Sequence, residues 1–323
     1  MSSTSSTSAT SSTSRRLECA SYDSLTDKWT PVPGIPGAES GFAPAVEAYK
    51  SRLYCLHQDL ADDGAGTLWW SSSGEEPIAW SENEAVLDAD GRLVPCAGPP
   101  AVTHANDFLY CVNHRSGKDN YLWWSRYNME GEEIGWRNWQ PVEDKEHTIV
   151  RSANPAALAV YDGLVYCVHD DEDGRLRWIT YDTHARAWGE DSPIPGDIPS
   201  RRVLAVERYK DLLYCVHDGE DDGLYWLTYD SGTGEWSEDR PVRYFNREPV
   251  RGARTLRLSR HNDFLYFSYY RGPDDGTGKL HWLRFNSDYT NPWSSERAGP
   301  SGHAYPGLDT APYFGLLYQV YRA

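Results

Sequence analysis

Short apolar runs alternate with polar breaks rich in Gly, Asp and Asn along the whole chain, and no long stretch carries apolar residues at helical spacing. That pattern predicts strands and turns throughout, with helix scarce. One phrase recurs, an apolar residue followed by Tyr and usually Cys: Leu53-Tyr54-Cys55, Leu109-Tyr110-Cys111, Val165-Tyr166-Cys167, Leu213-Tyr214-Cys215, Leu265-Tyr266-Phe267 and Leu317-Tyr318-Gln319. The tyrosines follow one another at intervals of 56, 56, 48, 52 and 52 residues, a period that marks stacked supersecondary units.

Each unit reads as four short strands. A small-residue strand (43–48 or 155–160, for example) leads through a turn such as Tyr161-Asp162-Gly163 into the Tyr-Cys strand. The third strand carries Trp70, Trp124, Trp178, Trp226 or Trp282, and a fourth ends near Trp80, Trp139, Trp188, Trp236 or Trp293. Four antiparallel strands per repeat, each repeat resting on the next, predict an all-β, six-bladed propeller. The sixth Tyr strand has no outer half after it. Leu17-Glu18-Cys19-Ala20-Ser21-Tyr22 matches Leu224-Tyr225-Trp226-Leu227-Thr228-Tyr229, and Trp29 supplies the fourth-strand tryptophan, so the last blade is built by both termini. Residues 15–323 are expected to form a single domain, preceded by a disordered Ser/Thr-rich tail over 1–14.

Composition supports this reading and narrows the partners. The 14 Trp and 22 Tyr suit strands. A formal charge of -17 disfavours nucleic acid, and no apolar run is long enough to span a bilayer. The tail resembles neither a secretory signal nor a transit peptide, which predicts a cytoplasmic protein. Cys55, Cys111, Cys167 and Cys215 hold equivalent places in successive repeats, too far apart for disulfides, and read as buried thiols. No metal or organic cofactor is expected, because no zinc, phosphate-loop or triad spacing occurs.

In a symmetric scaffold, function is sought where one copy departs from the others. Twelve residues before each repeat tyrosine, the inner strands begin at Phe42, Gly98, Asn154, Arg202, Arg254 and Pro306, with Arg151, Arg201 and Arg251 nearby. Blades three to five thus place guanidinium groups at one mouth of the channel, where an acceptor-rich ligand would offset their repulsion. Three residues further on, Ala45, Ala101, Ala157 and Ala205 give way to Arg257 and Asp309, readable either as a structural ion pair at the seam or as part of a ligand pocket. His57, His169 and His217 recur two residues after the repeat cysteines and read as scaffold hydrogen-bonders, and the acidic loops 170–174 and 220–223 read as solvated turns. Trp69, Trp123 and Tyr225 precede the third-strand tryptophan and either stack on sugars or cover the sheet edge.

These phrases, together with the terminus-sharing blade, resemble the six-bladed fungal propellers over residues 15–323. The resemblance implies one of two functions. Fucose-specific lectins of this architecture hold sugars between blades with a repeated set of Arg, Glu and aromatic residues. Propeller hetero-Diels-Alderases of natural-product pathways join a tropolone-derived quinone methide to a sesquiterpene. A multivalent lectin repeats its pocket blade after blade, and no repeating Arg, Glu and Trp set is found. The clustered arginines therefore favour a central-pocket enzyme: Arg202 and Arg254, supported by Arg151 or Arg251, stabilise charge on a substrate oxygen. Phe42, Asn154, Arg257 and Asp309 then hold a small-molecule substrate. The alternative is a glycan-binding lectin that depends on Trp69 and Trp123, and a third possibility is a protein-interaction platform on the acidic outer loops.

Overall fold

The computed structural model describes residues 15–60, 66–74, 78–115, 120–129, 134–201, 204–273, 275–290, 292–300 and 304–323; the predicted tail over 1–14 lies outside them. The Tyr-Cys phrase forms the second strand of every blade. Leu53, Tyr54, Cys55 and Leu56 are all essentially buried, because both faces of this strand pack against neighbouring sheets and an unbroken apolar run is what such a strand requires. The sequence thus builds all six blades around its most apolar phrase. Blade 1 runs through Ala45–Tyr49, Arg52–Leu60, Gly66–Ser72 and Glu84–Ala85, and blade 2 through Ala101–Ala105, Phe108–His114, Leu122–Asn128 and Gly135–Trp136. The innermost strands of blades 3, 4 and 5 are Ala157–Tyr161, Leu204–Tyr209 and Ala253–His261.

The sixth blade is shared as predicted: Lys28–Val32, Arg15–Asp23, Leu316–Arg322 and Leu308–Tyr313 lie side by side in one sheet, with Leu17 opposite Arg322 and Tyr22 opposite Leu317. The six innermost strands contact one another in cyclic order, so the six sheets form a closed ring around a hub. Among the described residues no helix is long and apolar enough to cross a membrane. All six cysteines are buried and unpaired, as expected for Cys55, Cys111, Cys167 and Cys215 at equivalent positions on separate blades.

Aromatic rings join neighbouring blades at five of the six interfaces. Trp70 stacks on Tyr54 of its own blade at 5.9 Å and meets Tyr127 of blade 2 at 4.8 Å. The motif repeats as Trp124 against Tyr181 at 4.7 Å, Trp178 against Tyr229 at 5.0 Å, Trp226 against Phe285 at 5.5 Å and Trp282 against Tyr22 at 5.0 Å. At the seam between blades 6 and 1 the corresponding places hold Cys19 and Ser73, so closure relies on other contacts. Asp309 of blade 6 accepts the Val46 N–H of blade 1 at 2.7 Å, and the Tyr313 hydroxyl donates to the Ser51 carbonyl at 2.6 Å.

The structure corrects one assignment. The fourth-strand tryptophan of blade 2 is Trp136, not Trp139: Trp136 pairs with Tyr127 as Trp188 pairs with Tyr181, and its ring meets Trp70 edge-on at 6.4 Å as Trp188 meets Trp124 at 5.5 Å. The two tryptophans stand three residues apart, and the period alone did not separate them.

Deleting residues 15–32 removes two strands of blade 6 and bares the edge of Leu316–Arg322. The thermal midpoint is expected to fall by more than about 10 °C, or the protein to aggregate; scanning calorimetry that finds the midpoint unchanged contradicts closure by shared strands.

Candidate functional site

Among the described residues, two places in the ring concentrate chemistry. The first is the hub, where the predicted arginines were expected to meet. Alanines at Ala101, Ala157 and Ala205 let the innermost strands approach closely, leaving a cavity of only about 60 Å³. Glu47, Glu207, Arg257 and Asp309 give it charge. Arg257 Nε lies 3.3 Å from Asp309 Oδ1, and Asp309 also accepts the Thr310 N–H at 2.8 Å as well as that of Val46. Arg257 and Asp309 form a structural ion pair between blades 5 and 6, with Asp309 also bonded across the seam to Val46, and the same two residues line the hub cavity.

Among the described residues, the other predicted arginines do not converge there. Arg151 is exposed and bonded to Glu172 at 3.0 Å and to the Tyr121 hydroxyl at 3.2 Å. Arg251 is exposed and bonded to Asp221 at 2.8 Å, and Arg201 is exposed too. Residues 151 and 251 fall on the linkers that run beside the third strands, bridging Tyr121 and Gly223, so chain spacing placed them near the mouth while sheet topology carries them outward. Arg254 is exposed at a bulge between Ala253 and Thr255 and does not line the cavity; Arg202 lies outside the described residues. Asn154 braces the chain: its backbone N–H donates to Asp170 at 2.9 Å, and its side chain bonds the same carboxylate. Half-buried Phe42 is bonded through its backbone to Ser40 and does not line the cavity.

The hub is electrostatically loaded. Burial, reinforced by the nearby charge of Glu47, pushes the Glu207 carboxyl up to about 8. Burial also raises Asp309, to about 6, with Arg257 and two backbone N–H groups working against the rise. The His104 imidazole is raised by its 2.8 Å bond to Glu47.

The second place is a cleft of about 320 Å³ on blade 2, walled by Trp123, Trp139, Asn113, Arg115, Arg92 and Leu93. It exists because blade 2 breaks a rule the other complete blades keep. At the end of each second strand a polar side chain faces the third strand: His57 opposite Trp69, Asn113 opposite Trp123, His169 opposite Arg177, His217 opposite Tyr225 and Tyr269 opposite His281. In blades 1, 3 and 4 the histidine bonds a residue just before the next paired segment: His57 to Asn83 at 2.9 Å, His169 to Asp191 at 3.1 Å and His217 to Asp239 at 3.1 Å. In blade 5, Tyr269 bonds Glu296. These are the scaffold roles expected of the histidines. In blade 3 Arg177 adds a second bond to Asp191 at 2.9 Å, and the two partners hold that carboxyl below its ordinary range although burial opposes them.

The equivalent residue in blade 2 is Trp139, which precedes Gln140 opposite Trp124 just as Asp191 precedes Ser192 opposite Trp178. Asn113, 2% exposed, donates to the Pro95 carbonyl at 3.1 Å, and its Oδ1 has no partner among the described residues. Where the sister blades close with a polar bond, blade 2 opens between two indoles. The Arg115 guanidinium lies 4.4 Å from the centre of the Trp123 ring, and Leu93 stays 53% exposed at the rim. Of the three sequence-predicted aromatics, Trp123 thus lines a cleft; Trp69 instead donates to Thr67 Oγ1 at 2.9 Å on blade 1, and the Tyr225 hydroxyl donates to Asp221 at 3.2 Å on blade 4. Trp139 and Arg115 were missed. Their signal was present as an extra Trp three residues beyond the repeat position.

No protein-family model matches the sequence, and no curated protein matches it. Solved structures share the fold. A fucose-specific lectin from Aleuria aurantia superposes with a TM-score of 0.58 at 12% identity, over 87% of this chain and 86% of the lectin. A protein of unknown function from Dyadobacter fermentans gives 0.61 at 10% identity, over 96% and 99%. An arabinoxylan arabinofuranohydrolase of glycoside hydrolase family 43 from Bacillus subtilis gives 0.51 at 13% identity, over 85% and 70%. At such identities the likeness is one of fold.

The hub makes a prediction of its own. Because Glu207 and Asp309 titrate higher in the native ring than in an unfolded chain, they favour folding below their unfolded pKa values, and that contribution is lost as pH rises through about 6 and then about 8. The thermal midpoint of Glu207→Gln should therefore fall less than that of the unmodified protein between about pH 6 and about pH 9. Parallel pH curves for the two proteins would contradict a charged, poorly solvated Glu207.

Proposed function

We propose that this propeller is a carbohydrate-binding protein and that the blade 2 cleft is its sugar site. The observation that carries the reading is the replacement of the polar residue of Asn83, Asp191, Asp239 and Glu296 by Trp139, which together with Trp123 makes an indole-walled cleft of about 320 Å³. Indole faces present apolar surface to the C–H face of a pyranose while their edges remain polar, and a cleft of this volume falls at the lower end of the range typical of small-molecule sites, about 300–1,000 Å³. Arg92, Arg115 and Asn138 offer donors to hydroxyl groups around the rim. The fold likeness to a fucose-specific lectin supports the same class of ligand.

Binding is favoured over hydrolysis. Hydrolysis needs two carboxyl groups free to act as acid and base or nucleophile. In the cleft, Asp88 Oδ1 accepts the N–H groups of Asp90 and Arg92 at 2.9 Å each, and Asp90 pairs with Arg92 at 3.3 Å. The Asp88 carboxylate is engaged in forming the turn, and that of Asp90 in an ion pair at the surface. Nor does the hub favour a cycloaddition: a cavity of about 60 Å³ has no room for a quinone methide and a terpene together.

Titration calorimetry or a glycan array should show binding of a neutral sugar that weakens about ten-fold or more in Trp123→Ala and in Trp139→Ala, the equivalent of about 1.4 kcal/mol. Trp139→Asp, which gives Asn113 a partner of the kind its sister blades use, should abolish binding without lowering the thermal midpoint. Undiminished binding in both alanine variants would contradict the assignment.

A further inference from the structure

The hairpins that join the first and second strands of the six blades turn at Lys50, Asn106, Asp162, Lys210, Asn262 and Phe314, with φ of 44°, 52°, 48°, 54°, 52° and 44°. This left-handed region is tolerated by Asn and Asp, whose short polar side chains bond locally, and is unfavourable for a bulky ring. Phe314 is the one aromatic among the six. Its ring is not there for burial, because the residue remains 55% exposed. A strained backbone that gains no core packing in return is the kind of feature found at ligand clamps.

Phe314 also borders a shallow, solvent-open surface cavity of about 410 Å³, shared with Tyr49, Lys50, His104, Asn106 and Tyr313 from three consecutive blades. Tyr313 meets the Phe314 ring edge-on at 4.4 Å. The charges around it are offset: Lys50 lies 3.5 Å from Asp107, and His104 is bonded to Glu47 at 2.8 Å. Asn106 is bonded to Thr183 at 2.8 Å. An anion or cation would find no surplus of opposite charge, whereas a neutral polyol with an apolar face fits an exposed ring beside polar side chains.

We propose that this cavity is a second, non-equivalent carbohydrate site, taking a neutral pyranose whose C–H face stacks on Phe314; the choice of ligand class rests on the reading of the blade 2 cleft. Lys50, Asn106 and Phe314 turn at one end of the blades, whereas Asn113 and Trp123 pair at the other end of the second strand. The two sites open on opposite faces of the ring, and one molecule bridges two glycans.

The test compares the full-length protein with Phe314→Asn, Phe314→Tyr and Trp139→Asp. Each is probed by saturation-transfer NMR and titration against the methyl glycosides of fucose, galactose, mannose, glucose and N-acetylglucosamine. The expected result is two sites in the unmodified protein and in Phe314→Tyr, and one in each of the other variants. Phe314→Asn should lose its site while its thermal midpoint holds or rises, since Asn suits the turn. A single site that is lost in Trp139→Asp and unaffected in Phe314→Asn overturns this proposal and leaves the cleft standing. If no glycoside binds any of the four proteins, both readings fail.

Discussion

The ring depends on one contact, repeated: the third-strand tryptophan of a blade lying between its own Tyr and an aromatic of the next. Trp70, Trp124, Trp178, Trp226 and Trp282 make it at five interfaces, and each such pair contributes about 0.5–1.5 kcal/mol beyond the apolar area it buries. Placing the large rings between the third strands leaves the innermost strands to small residues. Those strands then approach closely around Ala101, Ala157 and Ala205, and the hub shrinks to a few water volumes. The packing that holds the propeller together thus moves the room for a ligand away from the axis and out to the blades.

The hub is where the ring is locked. The seam lacks the aromatic contact, with Cys19 and Ser73 in its places, and Asp309 ties blade 6 to the Val46 backbone while Arg257 of blade 5 holds Asp309. Burying carboxylates this way is costly, and it is tolerated because each bond also fixes which strands meet at closure. The raised Glu207 and Asp309 are the physical trace of that compromise.

Much of this was legible in the chain. The Leu-Tyr-Cys period, the third-strand tryptophans and the match of Leu17–Tyr22 to Leu224–Tyr229 specified the blade count and the shared sixth sheet, because both faces of the second strand must be apolar and a closed ring needs a complete last blade. Arg151 and Arg251 lie away from the hub. Spacing from the repeat tyrosine positions residues along a strand, but Arg151 and Arg251 belong to linkers whose bridges to Tyr121 and Gly223 draw them toward the third strands and into pairs with Glu172 and Asp221. The decisive cleft was hidden for a related reason. Trp136 and Trp139 both suit a fourth strand, and only pairing shows that Trp139 stands where Asp191 and Asp239 stand in the sister blades.

A polar latch repeated in four blades gives way in blade 2 to an indole wall, the proposed sugar site. A crystal structure of the protein soaked with a neutral monosaccharide tests it most directly. The account predicts density for a pyranose ring packed against Trp123 and Trp139, within reach of Arg115. A cleft that stays empty while sugar occupies the hub, or the closed blades beside Asp191 and Asp239, would contradict it.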